Sequence, residues 1–138
     1  MLKVVVIEDE YMIRRGIILT IDWSSMDCVI VGEAANGQNG VELVTRLVPD
    51  IVITDVKMPY MNGVEMIAKL REQGCKAHFI VLTSYSDFTY AQSSLRLGVS
   101  DYLIKPLKDG ELESAIKKIR NELSENNQQT ANTDEPIL

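Results

Sequence analysis

Short, β-branched apolar runs alternate along this chain with longer stretches in which apolar positions recur every three or four residues. The runs Lys3 to Ile7, Cys28 to Gly32, Ile51 to Thr54, Phe79 to Leu82 and Tyr102 to Ile104 predict five strands. Several are apolar at consecutive positions, the pattern expected when helices cover both faces of a sheet. Between them, the spacing Ile13, Ile17, Ile21 predicts one helix, Gly40, Leu43, Val44, Leu47 a second, and Gly63, Met66, Ile67, Leu70 a third. Ala91, Leu95 and Leu97 suit a shorter fourth. The fifth, with Leu112, Ala115, Ile116, Ile119 and Leu123, is the most regular, and Asp109 is its expected N-cap. Pro49, Gly74 and Gly98 punctuate the helix ends. Strands alternating with helices predict an α/β protein built on a parallel sheet, and right-handed crossovers wind such a (βα)5 chain into a three-layer sandwich. The ligand site of that architecture lies beyond the carboxyl ends of the strands.

After Leu123 the sequence turns polar and loses its period, as a linker or tail does. The expected organisation is one domain over residues 1–123 and a polar segment over 124–138. A chain of 138 residues, 46% apolar and 25% charged, has enough apolar content for one sizeable core and is not a wholly disordered polymer. The net charge is −6; the last fifteen residues hold three acids and no Lys or Arg, so residues 1–123 carry −3. An acidic body without a basic cluster argues against direct nucleic-acid contact by this domain. Cys28 and Cys75 form no C-x-x-C pair and are expected to be idle thiols. Glu8, Asp9 and Glu10 interrupt the first apolar run before signal-peptide length, and nothing approaches the ~20 apolar residues of a membrane span. A cytoplasmic location without membrane contact is the expectation.

The strand ends carry Glu8 and Asp9, then Glu33, then Asp55, then Thr83 and Ser84, and last Lys105 before Pro106. In a sheet of order 2-1-3-4-5 the first and third strands are adjacent, so their carboxylates share one rim. Like charges held so close repel unless a cation neutralises them. Mg²⁺ takes oxygen ligands, tolerates one or two carboxylates and keeps waters for substrate oxygens. A carboxylate beside a metal, with a lysine opposite and a hydroxyl at hand, suits phosphoryl transfer. Asp55 is the natural nucleophile, Lys105 the compact mobile cation and Thr83 a hydroxyl for a phosphoryl oxygen. Singly, each has a plainer explanation: Asp55 a turn residue, Glu8 to Glu10 a solvated helix start, Thr83 a strand end, Lys105 a surface cation. The coincidence of suitable residues at successive strand ends carries the inference.

These residues resemble the receiver domain of two-component response regulators. The matching segments are Val6 to Glu10, Asp55 to Gly63, Leu82 to Ser84 and Asp101 to Pro106, and the likeness covers residues 1 to about 123. It implies a flavodoxin-like receiver fold in which Asp55 accepts a phosphoryl group from a histidine kinase. Asp9, Glu8 and Asp55 would organise Mg²⁺, with the backbone carbonyl of Lys57 as a further ligand. Glu8 stands where many receivers have Asp, and its longer side chain is expected to reach the metal through water. Lys105 would pair with the phosphoryl group, across a cis bond to Pro106. Thr83 and Tyr102 would be the switch pair, and Met58, Pro59 and Gly63 would shape the loop after the acceptor, Gly63 by adopting angles other residues avoid. Phosphorylation would alter the face of the fourth helix, fifth strand and fifth helix, where a homodimer would form. Lys57 and Tyr85 would border the water path to phosphorus and prolong the phosphoryl state. The segments Ile21 to Trp23 and Tyr85 to Phe88 look most like receivers attached to AraC-type DNA-binding domains, so DNA would be reached through an output domain absent from this sequence.

Three other classes fit less well. An aspartate-nucleophile phosphatase needs an acid two residues past the nucleophile, where Lys57 stands. A flavin-binding module on the same fold wants a Gly/Ser/Thr-rich phosphate loop after the first strand, where three acids stand. A docking-only pseudo-receiver has no need of the acidic pair, Asp55, Thr83 and Lys105 together. Phosphorylation signalling, with only weak self-directed catalysis, is the expected function.

Overall fold

The computed structural model describes residues 1–92 and 97–133, except the side chains at 85, 90, 91 and 126–133. Five strands, β1 (Leu2–Ile7), β2 (Cys28–Ala34), β3 (Ile51–Asp55), β4 (His78–Thr83) and β5 (Asp101–Ile104), alternate with α1 (Tyr11–Thr20), α2 (Gly37–Leu47), α3 (Gly63–Glu72), α4 (Phe88–Gln92) and α5 (Glu111–Thr133). All pairings are parallel and the order is β2-β1-β3-β4-β5. The expected fold class and strand order are those observed.

The consecutive apolar runs follow from two separate cores. Side chains alternate across a strand, so Val4, Val6, Ile51, Ile53, Ile80 and Leu82 meet Ile17 of α1 and Leu112, Ile116 and Ile119 of α5. Their neighbours Val5, Ile7, Val52 and Val81 meet Val41 and Val44 of α2 and Met66, Ile67 and Leu70 of α3. All five residues of β3 are buried, as a central strand covered on both faces must be.

Two sequence expectations are corrected at element ends. Asp109 is not the N-cap of α5: the helix begins at Glu111, the Gly110 carbonyl accepts the first helical bond from Ser114, and the Glu111 carboxylate takes the Lys108 N–H at 3.1 Å. Gly110, at φ +81°, makes the turn that a side chain would resist. At its other end α5 keeps a helical backbone to Thr133, ten residues beyond Leu123, where the apolar stripe stops. Losing the apolar period did not end the helical backbone. Of the residues expected in the fourth helix, Leu95 and the Ala91 side chain lie outside the described residues, and Leu97 is half-buried.

Candidate functional site

Register assembles the rim. Ile7 pairs with Thr54, Asp55 with Leu82, and Thr83 with Ile104, so Glu8, Asp55, Thr83 and Lys105 follow one another across β1, β3, β4 and β5. The β3–α3 loop behind Asp55 is held by a capping box: the Asn62 side chain accepts the Glu65 N–H at 2.8 Å, and Glu65 accepts from the Asn62 N–H at 3.4 Å. Gly63 serves that loop by space and not by unusual angles, since its φ is not positive. A Cβ there would stand 2.2 Å from the Asp55 carbonyl oxygen, so the helix start packs directly on the backbone of Asp55.

Asp55 is 6% exposed. Its Oδ1 accepts the Val56 N–H at 2.7 Å and its Oδ2 accepts from Lys105 Nζ at 2.9 Å. The same ammonium donates at 3.0 Å to Oε2 of Glu8, which is fully buried. Burial, followed by repulsion from Asp55, raises the Glu8 carboxyl from its ordinary value to about 7, against the opposing hydrogen bond and charge of Lys105. Burial alone would lower the Lys105 ammonium, but its hydrogen bonds to Asp55 and Glu8 outweigh that and push it up. Asp9, the next residue, is exposed, yet one oxygen each of Glu8, Asp9 and Asp55 lie within 4.8 Å of one another.

When all three carboxylates are ionised, the one ammonium leaves two negative charges, which a divalent cation would balance. An all-oxygen donor set suits a hard ion such as Mg²⁺ better than a soft one. Thr83 is buried beside the cluster, its hydroxyl donating to the Ser84 carbonyl at 3.1 Å. Tyr102 on β5 is half-buried and meets Phe88 of α4 edge to face, ring centroids 6.5 Å apart. Lys57 is exposed in the β3–α3 loop, and the Lys105–Pro106 bond is cis, as expected. The Tyr85 side chain lies outside the described residues.

A domain-family model of the response regulator receiver domain matches residues 4–117. The chain belongs to that family. The receiver is 37% identical over 123 residues to the uncharacterized transcriptional regulatory protein YesN of Bacillus subtilis, covering 89% of this chain and 33% of YesN. It superposes on the REC domain of AraT, a response regulator from Geobacillus stearothermophilus, with a TM-score of 0.86 and 36% identity, covering 91% of this chain and 98% of that one. A LuxR-family DNA-binding response regulator from Staphylococcus aureus follows at a TM-score of 0.77 and 26% identity, covering 86% and 98%. Receivers from differently named regulator families match, so the comparisons single out no AraC-type output. The chain spans 33% to 50% of the length of the curated relatives it matches. Family membership makes it a receiver of the two-component type, a family whose members are not enzymes in the usual sense but catalyse their own phosphorylation and dephosphorylation.

Glu33 is the strand-end residue the structure removes from the site. It lies within β2, which runs on to Ala34, and its carboxylate is taken by Arg14 Nε at 2.9 Å and by Arg15 Nη1. Sequence reasoning passed over Arg14, because adjacent arginines on a helix read as surface charge until β2 is laid beside α1. Both cysteines are free thiols; burial raises that of Cys28. Among the described residues no helix is long and apolar enough to cross a membrane.

Proposed function

We propose that Asp55 is the phosphoacceptor, with Glu8, Asp9 and Asp55, and the backbone carbonyl of Lys57, holding Mg²⁺. The observation carrying this reading is the single ammonium of Lys105 shared by two buried carboxylates within a three-carboxylate cluster. Bound there, Mg²⁺ would supply charge neutralisation to the transferring phosphoryl oxygens. An Asp55 carboxylate oxygen attacks phosphorus, the donor's bond to phosphorus breaks with its electron pair leaving on the donor, and an acyl phosphate forms. Lys105 then exchanges Asp55 for a phosphoryl oxygen, and the Thr83 hydroxyl turns from the Ser84 carbonyl to another. Movement of Thr83 opens space for Tyr102, whose contact with Phe88 couples it to α4.

Residues 1–123 constitute the switch, and 124–138 lead into an output domain that binds DNA, cytoplasmic and of AraC type. The polar composition of the segment and the greater length of the relatives support this. The α4, β5 and α5 face pairs with a second copy after phosphorylation. Incubation with Mg²⁺ and acetyl phosphate should add one phosphoryl mass to the wild type, mapping to Asp55 and labile to base. Asp55→Asn, folded by circular dichroism, should add none. The same adduct in that variant would move the acceptor elsewhere.

A further inference from the structure

The β1–α1 loop that carries Glu8 and Asp9 is held from outside the carboxylate cluster. Arg14, closing the first turn of α1, donates from Nη1 to the Glu8 carbonyl oxygen at 2.7 Å and from Nε to Glu33 Oε1 at 2.9 Å. Its side chain is only 12% exposed, and its guanidinium lies 5.4 Å from the centre of the Tyr11 ring. On the other side of the same residue, the Glu8 N–H donates to the Ala34 carbonyl at 3.0 Å. Both peptide planes flanking Glu8 are thus tied, one by β2 directly and one by β2 through Arg14.

The second of those planes is the peptide joining Glu8 to Asp9. Among the described residues the Asp9 carboxylate makes no hydrogen bond or ion pair, although it sits within 4.8 Å of the Glu8 and Asp55 oxygens. A side chain without partners of its own is aimed by its backbone, and this backbone is fixed at the Glu8 carbonyl. Resting on the assignment of Glu8, Asp9 and Asp55 to Mg²⁺, we infer that Arg14 is a positioning residue for that ion. It orients the Glu8–Asp9 peptide so that Asp9 faces the other two carboxylates, and Glu33 is the abutment that orients Arg14. A planar fork serves two acceptors at once where an ammonium serves them less well.

Electrostatics alone gives the opposite sign. Arg14 is a cation near a cation site, so its removal without a positioning role would leave Mg²⁺ affinity equal or tighter. Mg²⁺ binding by calorimetry on wild type, Arg14→Ala and Arg14→Lys, each checked for folding by circular dichroism, separates the two. Arg14→Ala is expected to bind about tenfold more weakly, the usual cost of losing an outer partner of a metal ligand. Arg14→Lys should fall between. Phosphorylation of Arg14→Ala by acetyl phosphate should recover at saturating Mg²⁺, because Asp55, Thr83 and Lys105 are untouched. Equal or tighter binding in Arg14→Ala overturns the inference, as does failure to recover. If Arg14→Ala does not fold, wild-type affinity in Arg14→Lys overturns it. A wild type that binds no Mg²⁺ brings down both this inference and the metal assignment beneath it, a result distinguishable because the unsubstituted protein itself fails.

Discussion

Glu8 sits in an environment that opposes its charged form. A fully buried carboxyl with a value near 7 in the folded state and 4.5 as its ordinary value binds its proton more tightly when folded. Its contribution is therefore greatest in acid and is lost as pH rises from about 4.5 through 7, by an amount on the order of 3 kcal/mol. Urea midpoints of metal-free protein between those pH values should fall more steeply for wild type than for Glu8→Gln. Parallel slopes would mean that Glu8 titrates normally. The raised value of Lys105 acts at the alkaline end: the stability it adds is present at neutral pH and lost as pH rises through its folded value.

At the scale of elements, the loops matter more than the helices they join. The Asn62 and Glu65 capping box fixes where α3 starts, and the Gly63 N–H donates to the Val56 carbonyl at 2.7 Å, so the same turn braces the end of the strand that carries Asp55. Asn62→Ala should cost about 1 kcal/mol, read as a lower urea midpoint with unchanged slope. An unchanged midpoint would show that the cap is dispensable. A comparable brace lies beyond α4. Arg71 of α3 donates to the carbonyls of Leu97 at 2.7 Å, Cys75 at 2.7 Å and Gly98 at 3.2 Å, with its guanidinium 4.8 Å from the centre of the Phe79 ring. The approach to β5 is thereby tied to α3, and among the described residues Phe88 of α4 meets Tyr102 of β5 edge to face.

For the whole molecule, the output proposed here is association. If the α4, β5 and α5 face pairs after phosphorylation, sedimentation velocity should show a heavier species when Mg²⁺ and beryllium fluoride are added. Asp55→Asn should stay unchanged under the same conditions. No shift at any protein concentration would leave a monomeric switch.

The sequence by itself determined the sheet and the chemistry of its rim. Five apolar runs, too consecutive to face water on either side, required helices on both faces, and the polar residues ending those runs had to gather where parallel strands end. Periodicity placed Met66, Ile67 and Leu70 in the core as surely as the structure does, because helical spacing is a local property. Only tertiary structure decided how that rim is wired. Glu8 and Lys105 meet across 97 residues of chain, and nothing local distinguishes the buried Glu8 from the exposed Asp9 beside it. Glu33 looked like a fourth rim residue until β2 extended past it and two arginines claimed its carboxylate. Gly63 was legible as a required glycine, but the requirement is the nearness of the Asp55 carbonyl oxygen, a distance between segments and not a torsion within one. Patterns along a chain encode which face a side chain takes; pairing between distant segments decides which charge it meets there, and a rim of like-charged groups draws its properties from that second decision.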